Sequence, residues 1–160
     1  MKSRYYLSVI LFFIFSLCYS QTNTLYQDSL MKVYPDAENV IWSESGIFHI
    51  AQFELNEFSK KVWFDNNAKW IMSVTDLETT DELPSNVYTV FMFTQYSQWN
   101  VLNVYWIQFP SQQEQYIVKV NQDNSSESFY IFFEPGGKVI NTLNISNQDI
   151  PITPSLFGIN

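Results

Sequence analysis

The chain is poor in the residues that carry most protein chemistry. Its 160 residues contain one cysteine, one histidine and four glycines. Cys18 directly follows the apolar run near the start, so removal of that leader leaves neither a disulfide nor a thiol nucleophile. His49 falls in a predicted strand with no nucleophile elbow to complete a serine triad, and a structural histidine accounts for it. The scarcity of glycine rules out a phosphate cradle, and Gly136-Gly137 reads as a turn. Positive charge is also scarce: Lys and Arg number 8 against 16 Asp and Glu, a net charge of −8. Without a basic patch to displace counterions, nucleic acid and anionic lipid headgroups are disfavoured partners. The acids Asp76, Glu78, Asp81 and Glu82 lack the glycine and closing glutamate of a calcium loop. Glu44, Glu54, Asp65 and Glu134 could pair as carboxylates for glycoside chemistry, but two of them stand at hairpin ends where acids suit turns. No cofactor, no metal site and no catalytic set is expected.

Only one long apolar run is present, from Leu7 to Leu17, preceded by Lys2 and Arg4 and followed by Cys18-Tyr19-Ser20. It is shorter than the roughly 20 residues of a spanning helix. The pattern is that of a signal peptide, residues 1–20, with cleavage after Ser20. A lipid anchor on Cys18 is the rival, disfavoured because Leu17 is not small. Removal of the leader takes Lys2 and Arg4 and moves the formal charge from −8 to −10. The expected address is the periplasm or the exterior. With no disulfide to help, residues 21–160 must be held by an apolar core, for which their aromatics suffice.

What the chain has in abundance is internal similarity. Val62-Trp63-Phe64-Asp65-Asn66-Asn67-Ala68-Lys69-Trp70-Ile71 returns in character as Ile131-Phe132-Phe133-Glu134-Pro135-Gly136-Gly137-Lys138-Val139-Ile140, at a constant offset of 69 positions. Three large apolar residues, an acid, a turn, a lysine and an apolar pair describe a duplicated β-hairpin.

Around it, Tyr26, Leu30, Val33 and Tyr34 share one helical face within residues 24–34, which Pro35 ends. Residues 40–42, 48–55, 60–64 and 69–75 read as strands, with turns at 43–46, 56–57 and 65–67. Residues 76–82 carry four acids and join the halves. Pro84 then suits the first position of a second helix through Val87, Val90, Phe91 and Thr94. The β-branched and aromatic residues there favour strand, but the equivalence with the first helix decides. Residues 101–109, 115–120, 128–133 and 138–143 repeat the four strands. The expectation is an α+β domain over residues 21–145, built from repeats 24–75 and 83–143, whose strands form one antiparallel sheet. A tail, residues 146–160, should be loose or laid across the surface.

Tyr34-Pro35-Asp36-Ala37 leading to Trp42, the strand end Trp63-Phe64-Asp65, Ala68-Lys69-Trp70 after the turn, and Leu83-Pro84 with Val87 and Phe91 resemble the PepSY-like, β-lactamase-inhibitor-like proteins exported by Bacteroidetes-type bacteria. The resemblance spans residues 24 to about 143. It implies two helix-plus-four-strand units, one curved sheet with both helices on one face, and an open sheet face that in the namesake inhibitors clasps a partner enzyme. The cysteines of those inhibitors are missing here.

Strand alternation predicts what the open face carries. Lys61 must reach solvent, so Trp63 shares its side while Val62 and Phe64 turn to the helices. The repeat places Tyr130 and Phe132 alike, Lys119 puts Ile117 there, and Gln108 puts Trp106 there. Each large ring buries about 150 to 250 Å², or on the order of 4 to 6 kcal/mol if fully covered. Four bare rings are unusual, so a partner or the tail should cover them. A bare patch predicts that Trp63→Ser and Phe132→Ser weaken partner capture and leave the melting temperature nearly unchanged. The function expected is non-covalent binding of a protein or peptide, with an inhibitor-like role as one form of it. A small-molecule or lipid carrier and a structural envelope protein are the alternatives.

Overall fold

A computed structural model describes residues 24–148 and 150–159. The expected signal peptide, its cleavage point and the Cys18 alternative lie outside the described residues.

The first helix, α1, covers residues 24–33. Tyr26 and Leu30, one turn apart, are its buried contacts, and the Tyr34 amide closes its last turn on the Leu30 carbonyl at 2.7 Å before Pro35. Four strands follow: β1 (Ile41–Ser45), β2 (Phe48–Leu55), β3 (Phe58–Phe64) and β4 (Trp70–Asp76). After a 3-10 turn at Thr80–Glu82 comes α2 (Ser85–Met92), then β5 (Asn100–Gln108), β6 (Glu114–Asn121), β7 (Ser128–Phe133) and β8 (Val139–Asn144). The eight strands form one antiparallel sheet in chain order, with β4 paired to β5. The α+β class is therefore as expected.

Local chemistry explains most boundaries. Asn56 and Glu57 both adopt positive φ, 53° and 71°, as a two-residue hairpin turn between twisted strands requires. The β1–β2 turn is tighter than the sequence suggests. Ser43 and Glu44 remain in β1, opposite Ile50 and His49, because an edge strand with a solvated side tolerates polar residues. In α2 the strand-favouring residues lose to packing: Val87 and Phe91 are buried against Val104, Val118, Ile131 and Phe133. Pro84 is the N-cap, so the helix begins at Ser85, one residue later than expected, and it stops at Met92. Thr94 lies beyond the helix, and its hydroxyl donates to the Phe91 carbonyl at 2.7 Å.

The two similar hairpins close their turns with the same backbone hydrogen bonds. Asp65 and Lys69 pair amide to carbonyl at 3.0 Å, as do Glu134 and Lys138, and the Ala68 and Gly137 amides return to the Asp65 and Glu134 carbonyls at 2.9 and 2.8 Å. The register slips between Trp63 and Phe64 in one and between Phe132 and Phe133 in the other. Ala68 and Gly137 both take positive φ, 56° and 92°.

Both helices cover one side of the sheet. Tyr26 and Leu30 pack with Ala51, Phe53, Val62 and Phe64, while α2 takes the cluster around Val104 and Ile131. The other side buries Trp63, Met72, Val74, Ile107, Ile117, Tyr130 and Phe132. The chain's own end covers it: Ile150, Ile152, Leu156 and Phe157 pack on that cluster, and Pro154–Phe157 forms a 3-10 turn. Of the two expectations for the tail, contact with the surface is the one observed.

Candidate functional site

The side opposite the helices was built by alternation. On β3, Lys61 is exposed and Trp63 shares its side, while Val62 and Phe64 point to α1. On β6 and β7, Ile117, Tyr130 and Phe132 join Trp63, and the Lys119 ammonium stands 5.8 Å over the Tyr130 ring. Tyr130 and Phe132 meet edge to face at 6.3 Å, the arrangement that ring quadrupoles prefer.

Two expectations fail. Trp106 stands on the helix side, where its indole stacks on Tyr116 at 6.5 Å and 6°. Gln108, whose polarity suggested solvent, also faces the helices and accepts a 3.0 Å hydrogen bond from the Tyr34 hydroxyl. A polar side chain marks a solvent-facing side only when no distant donor meets it. The patch is also not bare. Trp63 and Phe132 are 3% and 4% exposed, so their replacement by serine opens a core, and a large fall in melting temperature replaces the small one expected.

The tail crosses this cluster with room on either side. A cleft of about 560 Å³ is bounded by Lys61, Trp63, Lys119 and Tyr130 on the sheet and by Pro151 and Ile152 on the tail. Another, of about 770 Å³, lies between Phe109, Phe132 and Leu143 and the tail residues Leu156 and Phe157. Phe157 meets Phe109 at 5.2 Å and Phe132 at 6.4 Å between ring centroids, both in T-shaped pairs. The Tyr130 hydroxyl donates to the Ile150 carbonyl at 2.8 Å.

Sequence reasoning missed Lys60. Next to exposed Lys61 it alternates inward, is 6% exposed, and donates to Thr75 Oγ1 at 2.6 Å. Its ammonium lies 5.5 Å from the Tyr34 ring centroid and 5.4 Å from that of Trp106. Burial pushes its pKa below the ordinary lysine value. Two ring faces supply the negative potential that a carboxylate otherwise would. The neighbouring Trp106 Nε1 is buried with no hydrogen-bond acceptor among the described residues. Burial likewise raises the Tyr34 phenol, against an opposing hydrogen bond from Ser73, and raises Tyr116, with Glu114 adding to it.

His49 stacks on Tyr26 at 4.0 Å, with Glu44 3.4 Å from its Nδ1. Asp65 Oδ1 accepts the Asn67 and Lys69 amides at 2.8 and 2.9 Å, a turn role for one of the candidate carboxylates. Among the described residues no cluster of three or more metal-ligating side chains occurs, and no helix is long and apolar enough to cross a membrane.

No family model matches the chain, and no curated protein matches it. Solved structures do. A DUF2874 family protein of Bacteroides ovatus is 36% identical, with a TM-score of 0.78 over 82% of this chain and 94% of its own. A BLIP-like protein of Bacteroides fragilis is 31% identical, with a TM-score of 0.77 over 82% and 92%. A candidate periplasmic protein of Bacteroides eggerthii is 37% identical, with a TM-score of 0.71 over 77% and 88%.

Proposed function

The chain belongs to the DUF2874 family, and on that premise we propose that it is an exported, non-catalytic binding module that recognises a protein or peptide through the sheet side opposite its helices. The observation that carries this is the aromatic cluster of Trp63, Tyr130 and Phe132, flanked by Lys61 and Lys119 at a 560 Å³ cleft in a chain of net charge −8. Core packing explains buried rings, and Lys119 stands over one of them, but packing does not call for the exposed Lys61 beside them on an acidic molecule. An inhibitor-like action is supported by the BLIP-like description of the Bacteroides fragilis relative, and periplasmic residence by that of the Bacteroides eggerthii relative.

Export would remove residues 1–20, leaving a domain over 21–145 and a tail over 146–160. The matching turns and register slips at an offset of 69 residues support reading the halves as tandem four-strand repeats. Tyr34-Pro35-Asp36-Ala37 leading to Trp42, and Leu83-Pro84 with Val87 and Phe91, support a PepSY-like relationship.

Affinity capture from the native periplasmic and secreted fractions tests the binding side. The wild-type chain should enrich a partner that Lys61→Glu loses, with no change in melting temperature because Lys61 is exposed. Equal capture by both proteins would remove the sheet side from consideration. The 770 Å³ cleft lined by Phe109, Phe132 and Phe157 supports a second reading, a carrier of a small apolar molecule. A saturable rise in melting temperature with such a ligand would favour it.

A further inference from the structure

We propose that the C-terminal segment, residues 150–159, is a displaceable strap lying in a peptide groove. The partner element that replaces it would be a neutral, proline-containing segment, extended at first and then closing in a turn, with the same apolar spacing. This rests on the sheet-side binding proposed above and specifies its partner class and its regulation.

The strap shows by its own chemistry what the groove accepts. Ile150-Pro151-Ile152-Thr153-Pro154-Ser155-Leu156-Phe157-Gly158-Ile159 has no charged side chain. Two isoleucines at alternate positions, then a Leu-Phe pair four residues on, pack against the cluster that holds Trp63, Tyr130 and Phe132. The two prolines hold the chain near its bound shape, so ordering it costs little conformational entropy.

Its attachment is of a kind that another segment could take over. The strap is no strand of the sheet. Its backbone bonds are local: Leu156 to Thr153 at 3.0 Å, Gly158 to Ser155 at 3.1 Å and Ile159 to Pro154 at 3.1 Å. Toward the sheet, the Tyr130 hydroxyl donates to the Ile150 carbonyl, a bond that any extended backbone could accept. A replacement breaks no ladder. Trp63, Tyr130 and Phe132 beneath are buried, and of the strap only Pro154 is, whereas Ile152, Leu156 and Phe157 are half-buried. The clefts on either side leave room for a bulkier segment. The anchor before the strap is firm: Ile145 is buried, and its amide bonds the Ser128 carbonyl at 2.9 Å.

Tethering sets the regulation. A short tether holds the strap at an effective concentration in the millimolar range, so an outside segment must bind more strongly, or the strap must be weakened, before exchange occurs.

The test uses the whole chain and a fluorescein-labelled synthetic peptide with the sequence of residues 150–160, read by anisotropy. The Leu156→Ser/Phe157→Ser variant should bind the peptide at least about tenfold more tightly than wild type, because its own strap competes poorly. Equal affinities, or no binding to a folded variant, would overturn the proposal. If the variant does not fold, amide exchange of residues 150–159 in the wild-type chain decides. Excess peptide should accelerate it, and unchanged exchange overturns the proposal. A concentration-dependent wild-type dimer that the variant loses would show the occupant to be the strap of a second copy, which overturns the partner class. Capture of a partner that Lys61→Glu abolishes would leave the sheet-side binding standing even if the peptide result is negative.

Discussion

Phe132→Ala tests whether the rings opposite the helices are core or surface. The side chain is 4% exposed, lies 6.3 Å from the Tyr130 ring and 6.4 Å from that of Phe157, and packs with Trp63, Ile107 and Ile117. Truncation removes a fully buried ring and leaves a cavity between sheet and strap, a change that costs about 3–5 kcal/mol. At roughly 3 °C per kcal/mol for a domain of this size, the melting temperature should fall by about 10–15 °C. Phe157→Ala removes a half-buried ring and should cost about 1–2 kcal/mol. The two rings face each other at 79°, so the double variant should fall short of the sum by about 0.5–1.5 kcal/mol, the worth of an aromatic pair. Urea unfolding of the four proteins at one pH supplies the cycle. A Phe132→Ala chain that melts with the wild type would refute the burial reasoning. Zero coupling would mean that the strap does not lie on Phe132 in solution.

A methyl group added at Gly137 would sit 2.7 Å from the Asn86 carbonyl oxygen at a φ of +92°. Gly137→Ala should therefore cost about 2–4 kcal/mol by urea midpoint, while Gly136→Ala should stay within about 0.5 kcal/mol. Trp106→Phe removes the buried indole N–H that lacks an acceptor and keeps a ring against Tyr116. Stability should hold or rise by about 1 kcal/mol, and a loss above that would point to a missing acceptor. The Lys60 ammonium is held below its ordinary 10.5, so between its folded value and 10.5 the unfolded chain binds the proton more tightly and stability rises with pH. Tyr26, Tyr34 and Tyr116, all raised above 10.0, act in reverse: above 10.0 the unfolded chain releases its protons first and stability falls. Urea midpoints should climb in the wild type as the pH rises toward 10.0, before the tyrosines act, and flatten in Lys60→Met. An identical slope in both would assign the rise to other groups.

Wherever neighbours in the chain decide the outcome, the elements were legible. Asn56-Glu57, Asp65 to Asn67 and Gly136-Gly137 mark turns by their own conformational preferences, and the 69-residue offset carried α2 past a contrary propensity because a periodic face anchored by Val87 and Phe91 outweighs intrinsic preference. Residues that no neighbour informs were not legible. Lys60 and Lys61 are adjacent and chemically identical, yet one is caged by Tyr34 and Trp106 and the other is exposed. Gln108 misled because its partner, Tyr34, is 74 residues away.

By itself, then, the sequence determined the element order, the hairpins and the side to which Lys61, Trp63, Tyr130 and Phe132 belong, since turn chemistry and strand alternation are local. Only the tertiary structure decided that Trp106 lies under the helices, that Lys60 is enclosed by the Tyr34 and Trp106 rings, and that residues 150–159 cover the aromatic cluster. Each of those depends on surfaces brought together from distant parts of the chain. Alternation assigns a residue to a side, but what covers that side is set by which remote segment gains most by burying it.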